Sequence, residues 1–282
     1  MRQLAAFVVI AFAGQASFSI AATRILVVTD AEGVAGVCRQ ELTDPDSAEL
    51  RALLTGEVNA AVRGFLAGGA DEVVVWDGHD GSRTLSALTI EPSARLVHGS
   101  IGPTMLMDRG FSAVAMVGQH ARADRAPAVM AHSYSSLGVQ RMRLNQRDVG
   151  EIEMIAAVAG HHGIPVIFLA GDQAAQEDLL AIVPEAETVV VKEALGYYGC
   201  SSLSAPAAQA LIEEGARRAM TKLGTVRPYR VPAPVVLEVE YSTRSTPSPL
   251  ESLPEGVERA GARTLRFHGR DVVEAWARYL AR

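Results

Sequence analysis

Three segments of this chain place metal-competent side chains directly after short apolar runs. Asp30 and Glu32 stand two residues apart in Asp30-Ala31-Glu32-Gly33, just past the β-branched run Ile25 to Val28. That run reads as a buried strand. Side chains at i and i+2 of an extended segment point the same way, so both carboxylates can face one point. Val73 to Trp76 is a second apolar run, followed by Asp77-Gly78-His79-Asp80-Gly81. Ala113 to Val117 is a third, followed by Gly118-Gln119-His120-Ala121-Arg122. Each segment alone reads as an ordinary polar loop. Together they bring carboxylates and imidazoles to one edge of a sheet, and open α/β sheets bind ligands just beyond the C-terminal ends of their strands. Imidazole mixed with carboxylate suits zinc and its neighbours better than calcium or magnesium, which prefer all-oxygen shells.

A fourth element runs from Asn145 to Gly150 into Glu151 and the apolar, Ala-rich stretch Ile152 to Ala159. Glu151 therefore belongs in the first turn of a buried helix. The helix dipole favours an acid there on its own account, and a helix aimed at the same sheet edge equally supplies a carboxylate ligand. His132, in Met130-Ala131-His132-Ser133, has no partner by local spacing and by itself reads as a polar loop residue. His161 and His162 read as complements to a helix C-terminus, and His268 as an exposed strand residue.

The order Asp-x-Glu-Gly (30–33), Asp-x-His (77–79), Gly-x-His-Ala-Arg (118–122), His-Ser (132–133) and Val-Gly-Glu (149–151) resembles the zinc-dependent D-aminopeptidase family of the DppA type. The resemblance extends through Thr55 to Ala61, Gly163-Ile164-Pro165-Val166, Ala170-Gly171-Asp172 and Leu203-Ser204, and so spans essentially the whole chain after its first residues. It implies two zinc ions per chain held by Asp30, Glu32, His79, His120 and Glu151, with Asp30 as the bridge and His132 as the catalytic histidine. It also implies small peptide substrates with an N-terminal D-residue such as D-alanine, and a homo-oligomer, a large ring being one form. The chemistry would be metal-assisted amide hydrolysis, in which zinc acidifies a water and polarises the scissile carbonyl. His132 would stabilise the oxyanion or carry a proton to the departing amine. Two competing readings use the same residues. A dinuclear phosphoesterase would need a cationic clamp, for which Arg122 is the clearest candidate, and a non-catalytic periplasmic metal- or peptide-binding protein would not need His132.

The chain has 282 residues, 49% of them hydrophobic, enough for a large core. Its net charge of −6 and 5% aromatic content exclude a nucleic-acid footprint of basic stripe and stacking platform. Met1-Arg2-Gln3 and the apolar stretch Leu4 to Ala13 have the form of a secretory leader, with Ser19-Ile20-Ala21 as the cleavage site. The apolar stretch falls well short of the about 20 residues that span a bilayer, so no membrane span is expected in the mature chain. Export to the periplasm or beyond would permit a disulfide between Cys38 and Cys200, a pairing that sequence alone leaves open.

The remaining pattern predicts an open α/β sheet domain with the metal site at its strand ends, followed by a smaller C-terminal α+β portion. The expected division is a leader over 1–21, a metallohydrolase domain over 22–224 and the C-terminal portion over 225–282. Helices are expected from Ser47 to about Leu66, from Glu151 to about His161, from Glu177 to Val183, from Ser204 through Met220, and after the cap Asp271. Further strands are expected at Pro165 to Ala170, Thr188 to Val191, Val236 to Tyr241 and Thr264 to His268.

Overall fold

A computed structural model describes residues 22–99, 101–243 and 252–281. The expected leader lies outside the described residues, as does most of the proline-containing loop expected over 242–254. In chain order the elements are β1 (Arg24–Thr29), α1 (Ala48–Ala67), β2 (Glu72–Trp76), β3 (Ala94–Val97), β4 (Ala113–Gln119), β5 (Val139–Leu144), β6 (Arg147–Asp148) and α2 (Glu151–His161). They continue with β7 (Val166–Asp172), α3 (Gln173–Leu180), β8 (Glu187–Gly196), β9 (Gly199–Ser202), α4 (Ala205–Met220), β10 (Val235–Tyr241), β11 (Val257–Arg259), β12 (Thr264–Gly269) and α5 (Val272–Leu280).

Two sheets organise these elements. The larger has the order β3-β2-β1-β4-β7-β8-β9, parallel except for the antiparallel edge pair β8–β9. Its central strands are continuous apolar runs because helices and loops cover both faces: β4 and β7 are buried along their whole length. From β1 the chain builds outward through β2 and β3, then returns to place β4 on the other side of β1. That reversal makes the β1/β4 junction the topological switch point, where such sheets form a ligand crevice. The smaller sheet has the order β11-β12-β10-β5-β6 and is antiparallel. β10 alternates cleanly, burying Val235, Leu237, Val239 and Tyr241 while Glu238 and Glu240 point outward.

The helices start where the sequence supplies caps. Ser47 accepts from the Leu50 amide at the start of α1, and Gly68-Gly69 ends that helix, with Gly69 at φ +100°. Asp271 caps α5 through the Glu274 amide. Two expectations shift. The third helix spans Gln173–Leu180 rather than 177–183, because the Asp172 carboxylate caps it by accepting from Ala175 N–H at 2.7 Å, so β7 runs into the helix without a loop. The smaller sheet is not confined to 225–282, since β10 pairs with β5 and so recruits residues 139–148 from the middle of the chain. Among the described residues no helix is long and apolar enough to cross a membrane.

Candidate metal centre

The ends of β1, β2 and β4 are locked together by backbone contacts too close to admit a side chain. Asp30 N–H donates to the Val117 carbonyl at 2.9 Å and Gly33 N–H to the Gly118 carbonyl at 2.8 Å. A Cβ on Gly33 would stand 1.9 Å from the Gln119 carbonyl oxygen, and one on Gly118 would stand 2.0 Å from that of Asp30. Gly118 is also left-handed, at φ +78°. The two glycines therefore let the Asp-x-Glu segment and the histidine-bearing segment cross in contact.

At this crossing the expected residues converge. Asp30 Oδ1 lies 3.1 Å from His79 Nδ1 and Asp30 Oδ2 lies 3.4 Å from His120 Nε2, so each carboxylate oxygen faces a different imidazole. Glu32 Oε2 stands 3.5 Å from His79 Nδ1, and Glu151 Oε1 stands 3.8 Å from His120 Nε2. Glu151 is the first residue of α2. His132 joins the cluster from its loop: its Nε2 is 4.0 Å from Glu151 Oε1, and its ring stacks on His120 with centroids 4.1 Å apart. All five expected ligands and His132 thus gather in one cluster at the sheet edge, and His132 is not the isolated loop residue its local sequence suggests.

Backbone carbonyls fix each ring. His79 Nε2–H donates to Thr43 at 2.7 Å, His120 Nδ1–H to Ala121 at 2.9 Å and His132 Nδ1–H to Met130 at 2.9 Å. The opposite nitrogen of each ring therefore faces the cluster, the arrangement by which an outer shell orients metal-binding histidines. Two donors about 2.1 Å from one zinc at the tetrahedral angle lie about 3.4 Å apart, close to the spacings found here. Glu32 Oε2, His120 Nε2 and Glu151 Oε2 are buried and lack hydrogen-bond partners among the described residues. Buried orphan atoms of this kind, all acceptors or potential lone pairs, fit a cation.

The charges agree. Burial would raise the Asp30 carboxyl, but the His120 imidazole 3.4 Å away and the hydrogen bond from His79 hold it well below the usual range. Burial, with the Asp30 charge beside it, pushes Glu32 up to about 7. Burial also takes Glu151 to about 7 against the attraction of His120. For His79 burial favours the neutral ring, yet the Asp30 hydrogen bond and the Glu32 charge outweigh it and hold the imidazolium to about 10. His120 is raised well above its ordinary value, Glu151 and Asp30 outweighing burial. His132 goes the other way, down to about 4, through burial and repulsion by His120. Without metal, protons on His79 and His120 balance the carboxylates.

Residues 23–281 match the D-aminopeptidase family, peptidase M55. The chain belongs to this family. A curated relative, the D-aminopeptidase of Bacillus subtilis (strain 168), is 28% identical over 259 residues, covering 90% of this chain and 94% of the relative. Among solved structures the chain is similar to the Zn-dependent D-aminopeptidase DppA from Bacillus subtilis, described as a self-compartmentalizing protease. The TM-score is 0.84 at 28% identity, covering 92% of this chain and 96% of that one. This D-aminopeptidase family member is accordingly a hydrolase built on the α/β fold expected from its strand pattern.

Sequence reading missed the parts that hold the loop carrying Glu32. Lys192 is buried in β8, and its ammonium donates to the carbonyls of Glu32, Val34 and Val37. Glu57, buried in α1, accepts from Ala35 N–H at 2.8 Å. The Cys38–Cys200 pairing, left open by the sequence, is made, with the Cα atoms 5.6 Å apart, and ties the same loop to β9. A lone lysine closing Val189-Val190-Val191 was the available signal, since a charged residue in a buried strand requires partners.

Proposed function

We propose that this protein is an exported zinc aminopeptidase that hydrolyses short peptides bearing an N-terminal D-residue, D-alanine peptides first among them. The observation that carries the reading is the two-sided Asp30: its oxygens face His79 and His120, with Glu32 on one flank and Glu151 on the other. Asp30, Glu32, His79, His120 and Glu151 would hold the zinc, Asp30 standing between the two imidazoles. Zinc at such a site supplies Lewis acidity, polarising a scissile carbonyl and drawing the pKa of a water toward neutrality. The chain's own residues do the rest. The carboxylates also attract the substrate's free amine. His132 stands beside Glu151 with its Nδ1–H held by the Met130 carbonyl, so its Nε2 is free to take up a proton and pass it to the departing amine.

The D-preference and the zinc requirement draw support from the relatives' names, and export from the leader pattern and the Cys38–Cys200 bond. A homo-oligomer is supported by the self-compartmentalizing relative. The phosphoesterase alternative loses its clamp, because Arg122 is taken up by Asp178, Glu153 and Asp124. Hydrolysis of D-alanyl against L-alanyl dipeptides by the zinc-loaded chain tests the reading. D-selective release of alanine is the expected result, and phosphodiester cleavage without peptide cleavage would replace it.

A further inference from the structure

Besides candidate ligands and His132, the polar residues lining the pocket are Thr29, Asp80, Trp76, Gln119 and Tyr134, and the last three stand apart. Each carries a buried polar atom without a hydrogen-bond partner among the described residues, namely the Trp76 indole Nε1, the Gln119 Oε1 and the Tyr134 hydroxyl. Buried polar groups in native proteins are almost always paired, so exceptions gathered in one pocket point to a ligand that pairs them. The indole N–H can only donate, and so has no use for a cation.

Both aromatic residues are fixed in place by the elements that build the site. Trp76 is the last residue of β2, three before His79, and is 8% exposed. Tyr134 follows His132 by two and sits in the left-handed region at φ 60°, a conformation that costs energy for a bulky residue and needs outside support. That support is present: its backbone N–H donates to Glu151, and its ring packs on Trp276 with centroids 4.7 Å apart. An ammonium gains nothing from an N–H donor. The substrate's amine therefore belongs with the carboxylates, and its oxygens with the donors. Gln119, whose unpartnered atom is the acceptor Oε1, is left out of the assignment.

We propose that the Trp76 indole N–H and the Tyr134 hydroxyl are substrate-binding donors that grip an oxygen of the short peptide, its carbonyl or its C-terminal carboxylate, and so select which peptides the site accepts. The assignment rests on the peptidase reading above. Trp76→Phe and Tyr134→Phe each remove the polar group and keep a ring. They are compared with the parent, zinc-loaded and normalised per zinc bound, on D-alanyl-D-alanine and on its C-terminal amide. The expected result is a fall in kcat/KM of about tenfold or more for the dipeptide in both variants, carried mainly by KM, with zinc content and Tm retained. A fall confined to the dipeptide assigns the carboxylate, and an equal fall on the amide assigns the carbonyl. Values within about twofold of the parent on both substrates, in both variants, overturn the proposal. A parent that cleaves neither substrate sinks the peptidase reading separately. Calorimetric binding of D-alanyl-D-alanine then decides: at least about tenfold weaker binding in the variants upholds the two donors, and equal affinity or no binding by the parent overturns them.

Discussion

His120 and His132 show how burial and orientation divide one residue type between two tasks. Their rings stack, and both turn Nε2 toward Glu151. His120 adds a second contact, to Asp30 Oδ2, and its Nε2 has no hydrogen-bond partner, so it has the environment of a ligand. His132 meets the carboxylates at Glu151, stacks on His120, and is held neutral, down to about 4, by burial and by His120. His120→Ala should therefore lower zinc occupancy along with activity. His132→Ala should retain zinc and lose roughly 10²–10⁴-fold in turnover, chiefly in kcat, as expected for a positioned proton-transfer group. Metal analysis beside steady-state kinetics separates the two, and a His132→Ala chain that sheds zinc as readily as His120→Ala places His132 among the ligands. The residue types and their order were legible in the sequence, because carboxylates and imidazoles recur after three separate apolar strands. The proximity of His132 was not, because a long-range return of the chain creates it.

At the scale of elements, the site depends on strand ends that cross without room for a Cβ. Gly118→Ala should be destabilising by at least about 2 kcal/mol, combining the left-handed backbone with overpacking against Asp30. Gly110→Ala is the control: it has a similar φ of +73° and nothing within 4 Å of the added Cβ, so it carries the backbone cost alone. Urea unfolding of both variants measures the difference, and equal destabilisation would mean that the strand crossing tolerates a methyl group. The central strands and capped helices could be read directly, since β-branched runs and Ser or Asp caps announce them. β5 could not: Val139-Gln140-Arg141-Met142-Arg143-Leu144 presents its arginines to Asp148 and Glu238 across the smaller sheet, and those partners lie on other strands. The start of α3 was hidden because Asp172 ends a strand and caps a helix at once.

For the molecule as a whole, the cluster links metal uptake to protons. In the zinc-free chain His79 keeps its proton up to about 10, His120 is raised well above its ordinary value by Glu151 and Asp30, and Glu32 and Glu151 are pushed up to about 7. A raised histidine pKa stabilises the zinc-free fold fully below the unfolded value of about 6.5, and this is lost as pH rises toward 10. Ligation needs the deprotonated forms, so zinc uptake near pH 7 should release about two protons or more, and affinity should rise with pH from about 6 to 10. Calorimetry in buffers of different ionisation enthalpy counts the protons, and uptake without release would place the metal elsewhere. The most direct measurement of all is zinc content, by elemental analysis after reconstitution and dialysis, of the parent beside Asp30→Ala. About two zinc ions per parent chain and almost none in a still-folded, inactive Asp30→Ala is the result expected if one carboxylate serves both shells. Undiminished zinc in Asp30→Ala would contradict the assignment of the metal centre to the strand ends of β1, β2 and β4.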